Sequence, residues 1–98
     1  MTFKELLEAV KDQNLTKEQC DSYRDSLIHL LSDMRREIAD LKKKRAMFFL
    51  SSEEKSGVAK TIAWDGTPEG QRLIDLKEWS RAAMSEIEGL KSRIYSLL

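Results

Sequence analysis

Between Leu73 and Leu97 the chain places a small or apolar residue at alternating steps of three and four: Leu73, Leu76, Ser80, Ala83, Ile87, Leu90, Ile94 and Leu97. That spacing holds one stripe of a helix against a partner along its whole length. The preceding Trp64-Asp65-Gly66-Thr67-Pro68-Glu69 reads as a helix boundary. Gly66 can end one helix in the left-handed conformation. Thr67 can cap the next, Pro68 fits its first position, and Glu69 suits the positive end of its dipole. Upstream, Leu27, Leu31, Met34, Ile38, Leu41, Arg45, Phe48, Ser52, Lys55, Ala59 and Ile62 form an answering stripe. A connection of about three residues makes two such helices antiparallel neighbours.

Two further helix starts follow from capping chemistry. Thr2 with Glu5, and Thr16 with Gln19, have the spacing of capping boxes, and Leu15 with Cys20 has that of a hydrophobic staple. Ser51-Ser52-Glu53-Glu54 could cap another helix, and Gly57 is unfavourable inside one by about 1 kcal/mol. The apolar register nevertheless crosses this stretch, with Phe48 and Ile62 two heptads apart, which favours an unbroken, kinked helix over a break near Ser51. The expected fold is all-α and a single domain over 1–98: a short N-terminal helix and a long antiparallel coiled-coil hairpin, with helices over 3–13, 17–64 and 68–98.

Folding at Gly66 pairs Ala83 with Phe48, Leu90 with Leu41, Ile94 with Ile38 and Ile87 with Arg45. Arg45 would then reach Glu86 or Asp40, and Lys55 would reach Asp75 or Glu78. Trp64 would seal the turn over Ile62 and Leu73. The second helix would be about 70 Å long and overhang the third, at about 46 Å. The overhang would receive Phe3, Leu6, Leu7 and Val10 on Tyr23, Leu27 and Leu30. Ile28 and Leu98 lie off the seam, as do Phe49, Leu50, Ile74, Trp79, Met84 and Tyr95, and these last six form the expected oligomer interface. Exposed apolar surface of that extent marks an interaction site. A two-fold dimer forming a four-helix bundle is the simplest assembly.

Composition narrows the function. Charged residues make up 35% of the chain, with 17 basic and 17 acidic groups, a balance that opposes bulk coating of nucleic acid. The longest apolar run, Ala46 to Leu50, is far below the ~20 residues of a membrane span. Lys4, Glu5 and Glu8 stand where a secretory leader would be apolar. A single cysteine, Cys20, cannot form an internal disulfide, and a cytoplasmic location is expected. Cys20 and His29 lie nine residues apart with no further Cys or His to complete a zinc set. No phosphate-binding glycine loop is present, Gly66 and Gly70 being read as helix punctuation. The expectation is a non-enzymatic protein with no metal, cofactor or catalytic residues.

Charge is unevenly placed. Residues 1–34 carry four basic and seven acidic groups, and residues 35–60 eight and four. Arg35, Arg36, Lys42, Lys43, Lys44 and Arg45 form a belt suited to phosphates or an acidic protein, with Phe49 or Trp79 near for stacking. Arg72, Lys77, Arg81, Lys91 and Arg93 add charge on the neighbouring helix. A self-associating module that binds a protein partner is the preferred reading. A nucleic-acid-binding accessory factor using the belt, and an inhibitor of a host enzyme, are the alternatives.

The segments Arg45-Ala46-Met47-Phe48-Phe49-Leu50-Ser51-Ser52, Thr67-Pro68-Glu69-Gly70-Gln71-Arg72 and Leu90-Lys91-Ser92-Arg93-Ile94-Tyr95 resemble a class of small helical-hairpin proteins encoded by bacteriophages. The resemblance covers residues 35–98 and carries over no site residues. It implies a virus-encoded accessory protein that acts by binding, in recombination or in blocking a host defence.

Overall fold

The computed structural model describes all 98 residues as four helices: α1 (Phe3–Ala9), α2 (Lys17–Ser51), α3 (Gly57–Asp65) and α4 (Pro68–Leu97). The all-α fold and the antiparallel pairing of the long α2 with α4 are as the sequence predicts. Both capping boxes form. Thr2 Oγ1 accepts from Glu5 N at 3.1 Å while Thr2 N donates to Glu5 Oε1 at 3.2 Å. Thr16 and Gln19 repeat the exchange at 3.1 and 2.9 Å, and the staple residues Leu15 and Cys20 are buried in one cluster. The first helix is shorter than the expected 3–13. Asp12 Oδ1 accepts from Asn14 N at 2.8 Å, and this local bond turns the chain where a helix would need the same backbone.

The expected unbroken second helix is not what forms. It ends at Ser51, Ser52 is extended, and a new helix starts at Gly57 under a Ser56 cap that accepts from Ala59 N at 3.0 Å. Serine chemistry explains the break. Ser51 Oγ donates toward the carbonyls of Met47 and Phe48, at 3.1 and 3.3 Å, and Ser52 Oγ accepts from Glu54 N at 3.2 Å. These bonds offer the backbone an alternative to the helical ladder. The break lets α3 fold back, so that Trp64 is buried with Leu41, Leu73 and Leu76, its ring 5.5 Å from that of Phe48. Ile62, expected on the seam and under Trp64, is 69% exposed instead.

Folding back moves the register. The bidentate contact of Arg72 with Glu37, at 2.6 and 3.2 Å, marks the true alignment. It places α4 roughly three heptads nearer the start of α2 than folding at Gly66 implied. Ala83, Ile87 and Leu90 therefore pack with Leu27, Leu31 and Cys20, not with Phe48, Arg45 and Leu41. The expected Ile94–Ile38 pairing goes the same way, since Ile94 packs on the first of these clusters and Ile38 on the second. Arg45 meets Phe49 and Thr61 rather than Glu86 or Asp40. Lys55 lies exposed in the break and pairs with neither Asp75 nor Glu78. The whole molecule measures 58 Å along its longest axis, less than the 70 Å expected of α2 alone.

α1 docks as the sequence suggests except at Leu7, which is half-buried and joins neither apolar cluster. Leu6 and Val10 are buried with Leu27, and Phe3, Tyr23 and Leu30 pack around them. Arg93 of α4 holds the end of α1, its guanidinium donating to the carbonyls of Val10 and Asp12 at 2.8 and 2.5 Å.

Gly66 does not take the left-handed conformation expected of it, and Gly70, expected as helix punctuation, is needed for close packing. Gly66 is right-handed, at φ −78°, and no residue in the chain has a positive φ. Its neighbours close the end of α3: Thr67 N and Thr67 Oγ1 donate to Trp64 O at 2.9 and 2.6 Å, and Gln71 Nε2 to Asp65 O at 2.6 Å. Gly70 is the residue that the corner requires. A Cβ there would lie 2.0 Å from Trp64 O and 2.8 Å from its carbonyl carbon. Gly70→Ala is expected to push α3 from α4 and lower stability by about 2 kcal/mol or more, in the range of core overpacking. Gly89→Ala, with nothing within 4 Å of the new methyl group, is expected to stabilise by about 0.5–1 kcal/mol through helix propensity. Urea unfolding of the two variants checks both signs.

Candidate functional site

The α2–α4 hairpin has two long faces, and α1 covers the part of one of them nearest the start of α2. On that side Arg72 ties Glu37 to Trp79, its guanidinium 5.2 Å from the indole, and Trp79 lies 6.5 Å from the Phe3 ring. Trp79, expected in an oligomer interface, is thus engaged within the molecule and 38% exposed.

The opposite face is open. On α2, Arg24, Ile28, Leu31, Arg35, Lys42, Arg45 and Phe49 recur at the spacing of one helical stripe, and Ile74, Lys77, Met84 and Glu88 do so on α4. Between these stripes, beside α3, lies a groove of about 1020 Å³. Phe49, Leu50, Leu73 and Ile74 give it apolar walls, and Lys42, Arg45, Lys60 and Lys77 surround it against the single carboxylate of Asp65. Further along the same face a depression of about 470 Å³ is lined by Ile28, Leu31, Met84 and Ile87, with Arg24, Arg35 and Glu88.

None of these six cations forms an ion pair within the molecule. Arg45 instead lies 4.2 Å over the Phe49 ring and reaches Thr61 Oγ1 at 3.5 Å. Arg24 Nε is buried with no acceptor. Uncompensated charge beside apolar surface attracts groups of opposite charge that also carry apolar area.

The sequence-derived belt separates in three dimensions. Arg35, Lys42 and Arg45 line the open face. Arg36 lies 3.9 Å from Asp33 on another side. Lys43 is exposed off the groove, and Lys44 borders a shallow hollow with Phe48 and Glu69. Phe49, Leu50, Ile74 and Met84 share the open face with the first three. Tyr95 is exposed near the end of α4. Sequence reasoning missed Lys60, which the assumption of an unbroken helix left without a neighbour, and Arg24, whose stripe position was the available signal. Cys20 is fully buried and His29 exposed, and no three His, Cys, Asp or Glu side chains converge as metal ligands. No helix is long and apolar enough to cross a membrane.

No protein-family model, curated protein or solved structure matches the chain significantly.

The Glu37–Arg72 pair gives the α1 side a pH signature. The guanidinium's hydrogen bonds hold the Glu37 carboxyl below its ordinary value of 4.5. Its stabilisation is therefore complete above that value and is lost as pH falls through the lowered one. Both side chains are nearly half exposed, so the expected contribution is below about 1 kcal/mol. Glu37→Gln should remove this part of the acid-side slope in urea unfolding while leaving stability above pH 6 lower and flat. An unchanged slope would show that the pair contributes nothing.

Proposed function

We propose that the protein is a non-enzymatic helical interaction module, acting in the cytoplasm, which binds a protein partner along the open α2–α4 face. The observation that carries this reading is the set of six unpaired cations bordering apolar surface in two depressions along one face of the hairpin. Phosphates alone would use the cations and leave Phe49, Ile74 and Met84 uncovered. The belt also wraps around α2, so fewer of its charges can meet one nucleic-acid backbone at once. A protein surface can satisfy both chemistries together. An accessory role of the kind implied by the resemblance to phage hairpin proteins is compatible with such a binder.

Photo-crosslinking in the source cells tests the docking face. A photoreactive residue at Ala46 or Lys77 should trap an adduct of discrete mass that is absent when the residue is placed at Ser22, on another side of α2. Adducts from Ser22 with none from the groove would overturn the assignment.

Self-association finds its support elsewhere. A two-fold pairing through the open face would set its cations against their own copies, which is unfavourable. The tip offers Met47, Val58 and Ile62, all more than 65% exposed and uncharged. Sedimentation equilibrium at micromolar concentration should show a reversible dimer that Ile62→Asp disrupts. A monomer throughout would remove self-association and leave the docking face untouched.

A further inference from the structure

We infer that the partner presents an acidic amphipathic α-helix, which lies in the α2–α4 groove and completes a three-helix bundle on the open face. The inference rests on the docking reading above and specifies the chemistry of the occupant. Four observations point to a helix of that kind.

The groove runs between two antiparallel helices, and on the opposite face, toward the start of α2, the chain packs a short helix of its own across the same pair. α1 buries Leu6 and Val10 against residues of both α2 and α4. The α2–α4 pair thus already accepts a helix on one side, and the open side carries none. Arg35, Lys42 and Arg45 line the α2 wall, and beside α3 the α4 wall adds Lys77, its one carboxylate, Glu88, lying at the far end. A helix with one apolar stripe and carboxylates on both flanks meets that arrangement, in the way that flanking charges select partners in coiled coils.

The apolar content also varies along the groove. The depression beside α3, at about 1020 Å³, has room for a bulky anchor such as an aromatic or leucine side chain, and the one beside Ile28 and Met84, at about 470 Å³, for a smaller one. Finally, Arg24 Nε is buried beside this surface without an acceptor, so the chain leaves one donor of that half-buried guanidinium unused. From Arg24 to Phe49 the stripe is about 38 Å long, which a helix of about 25 residues matches.

The test uses the full chain and three labelled probes. The first is a synthetic peptide of about 25 residues with Leu at heptad positions a and d and Glu at e and g. The second has Lys in place of every Glu, and the third is a single-stranded oligothymidine. In fluorescence anisotropy at low salt the Glu peptide should bind, weaken as salt rises, and gain helical circular dichroism on binding. The paired substitution Lys42→Glu with Lys77→Glu, both on exposed positions, should weaken it about tenfold or more. Ile74→Asp should do the same without removing a cation. Unfolding curves for each variant verify that the fold is retained.

Equal binding of the Lys peptide would overturn the inference, as would an affinity that the paired substitution leaves unchanged. So would binding of oligothymidine in place of the Glu peptide, which would mark the face as a nucleic-acid site. If the Glu peptide fails while Ala46 and Lys77 still trap a partner, the face is a docking surface for a different chemistry. If both fail, the docking reading falls as well.

Discussion

Burial of the Trp64 indole between α2 and α4 is the contact from which the rest of the architecture follows. It needs α2 to stop at Ser51, α3 to turn back, and Gly70 to let the backbone of α4 pass against the Trp64 carbonyl. Once the indole is seated with Leu41, Leu73 and Leu76, the starting point of α4 along α2 is set. Every later pairing is then a matter of counting turns. Large buried aromatic surface contributes several kcal/mol, which is enough to decide between two registers that bury similar aliphatic side chains.

The same placement creates the asymmetry between the two faces of the hairpin. The shifted α4 extends to the start of α2, where Arg93 can hold the turn after α1 by the Val10 and Asp12 carbonyls and the Leu6 and Val10 side chains are covered. On that side Arg72 is neutralised by Glu37, and Trp79 is flanked by Arg72 and Phe3. On the other side α3 brings Lys60 toward Lys42, Arg45 and Lys77 without bringing enough acid to balance them. One face of the rod thereby carries its own ion pair and short helix, and the other is left with unpaired cations beside apolar surface.

The local grammar of the chain was legible before any coordinates. Thr2, Thr16 and Thr67 cap helices through bonds to residues three positions away, and Pro68 occupies a first turn where its missing N–H is harmless. The stripe from Leu73 to Leu90 is buried because periodicity alone assigns one side of a helix to the core. Docking of α1 was also readable, since Leu6 and Val10 had no other apolar surface within reach. Of the proposed site, Phe49, Leu50, Ile74, Met84, Arg35, Lys42 and Arg45 were identified as off-seam or basic, but nothing in the sequence showed that they share a face.

Residues 52–62 mark the limit of that grammar. Their apolar positions extend the stripe of α2 in register, and their serines equally permit a break, so local rules allow both outcomes. The choice depends on contacts between residues far apart in sequence, chiefly Trp64 with Leu41 and Phe48 and Gly70 with the Trp64 carbonyl. Helical content, caps and the inward stripe come from interactions within a turn or two, and those are written directly in the residue order. Register, the corner at Gly70 and the grouping of Lys42, Lys60 and Lys77 around one groove arise from long-range packing, which becomes visible only when the chain is folded.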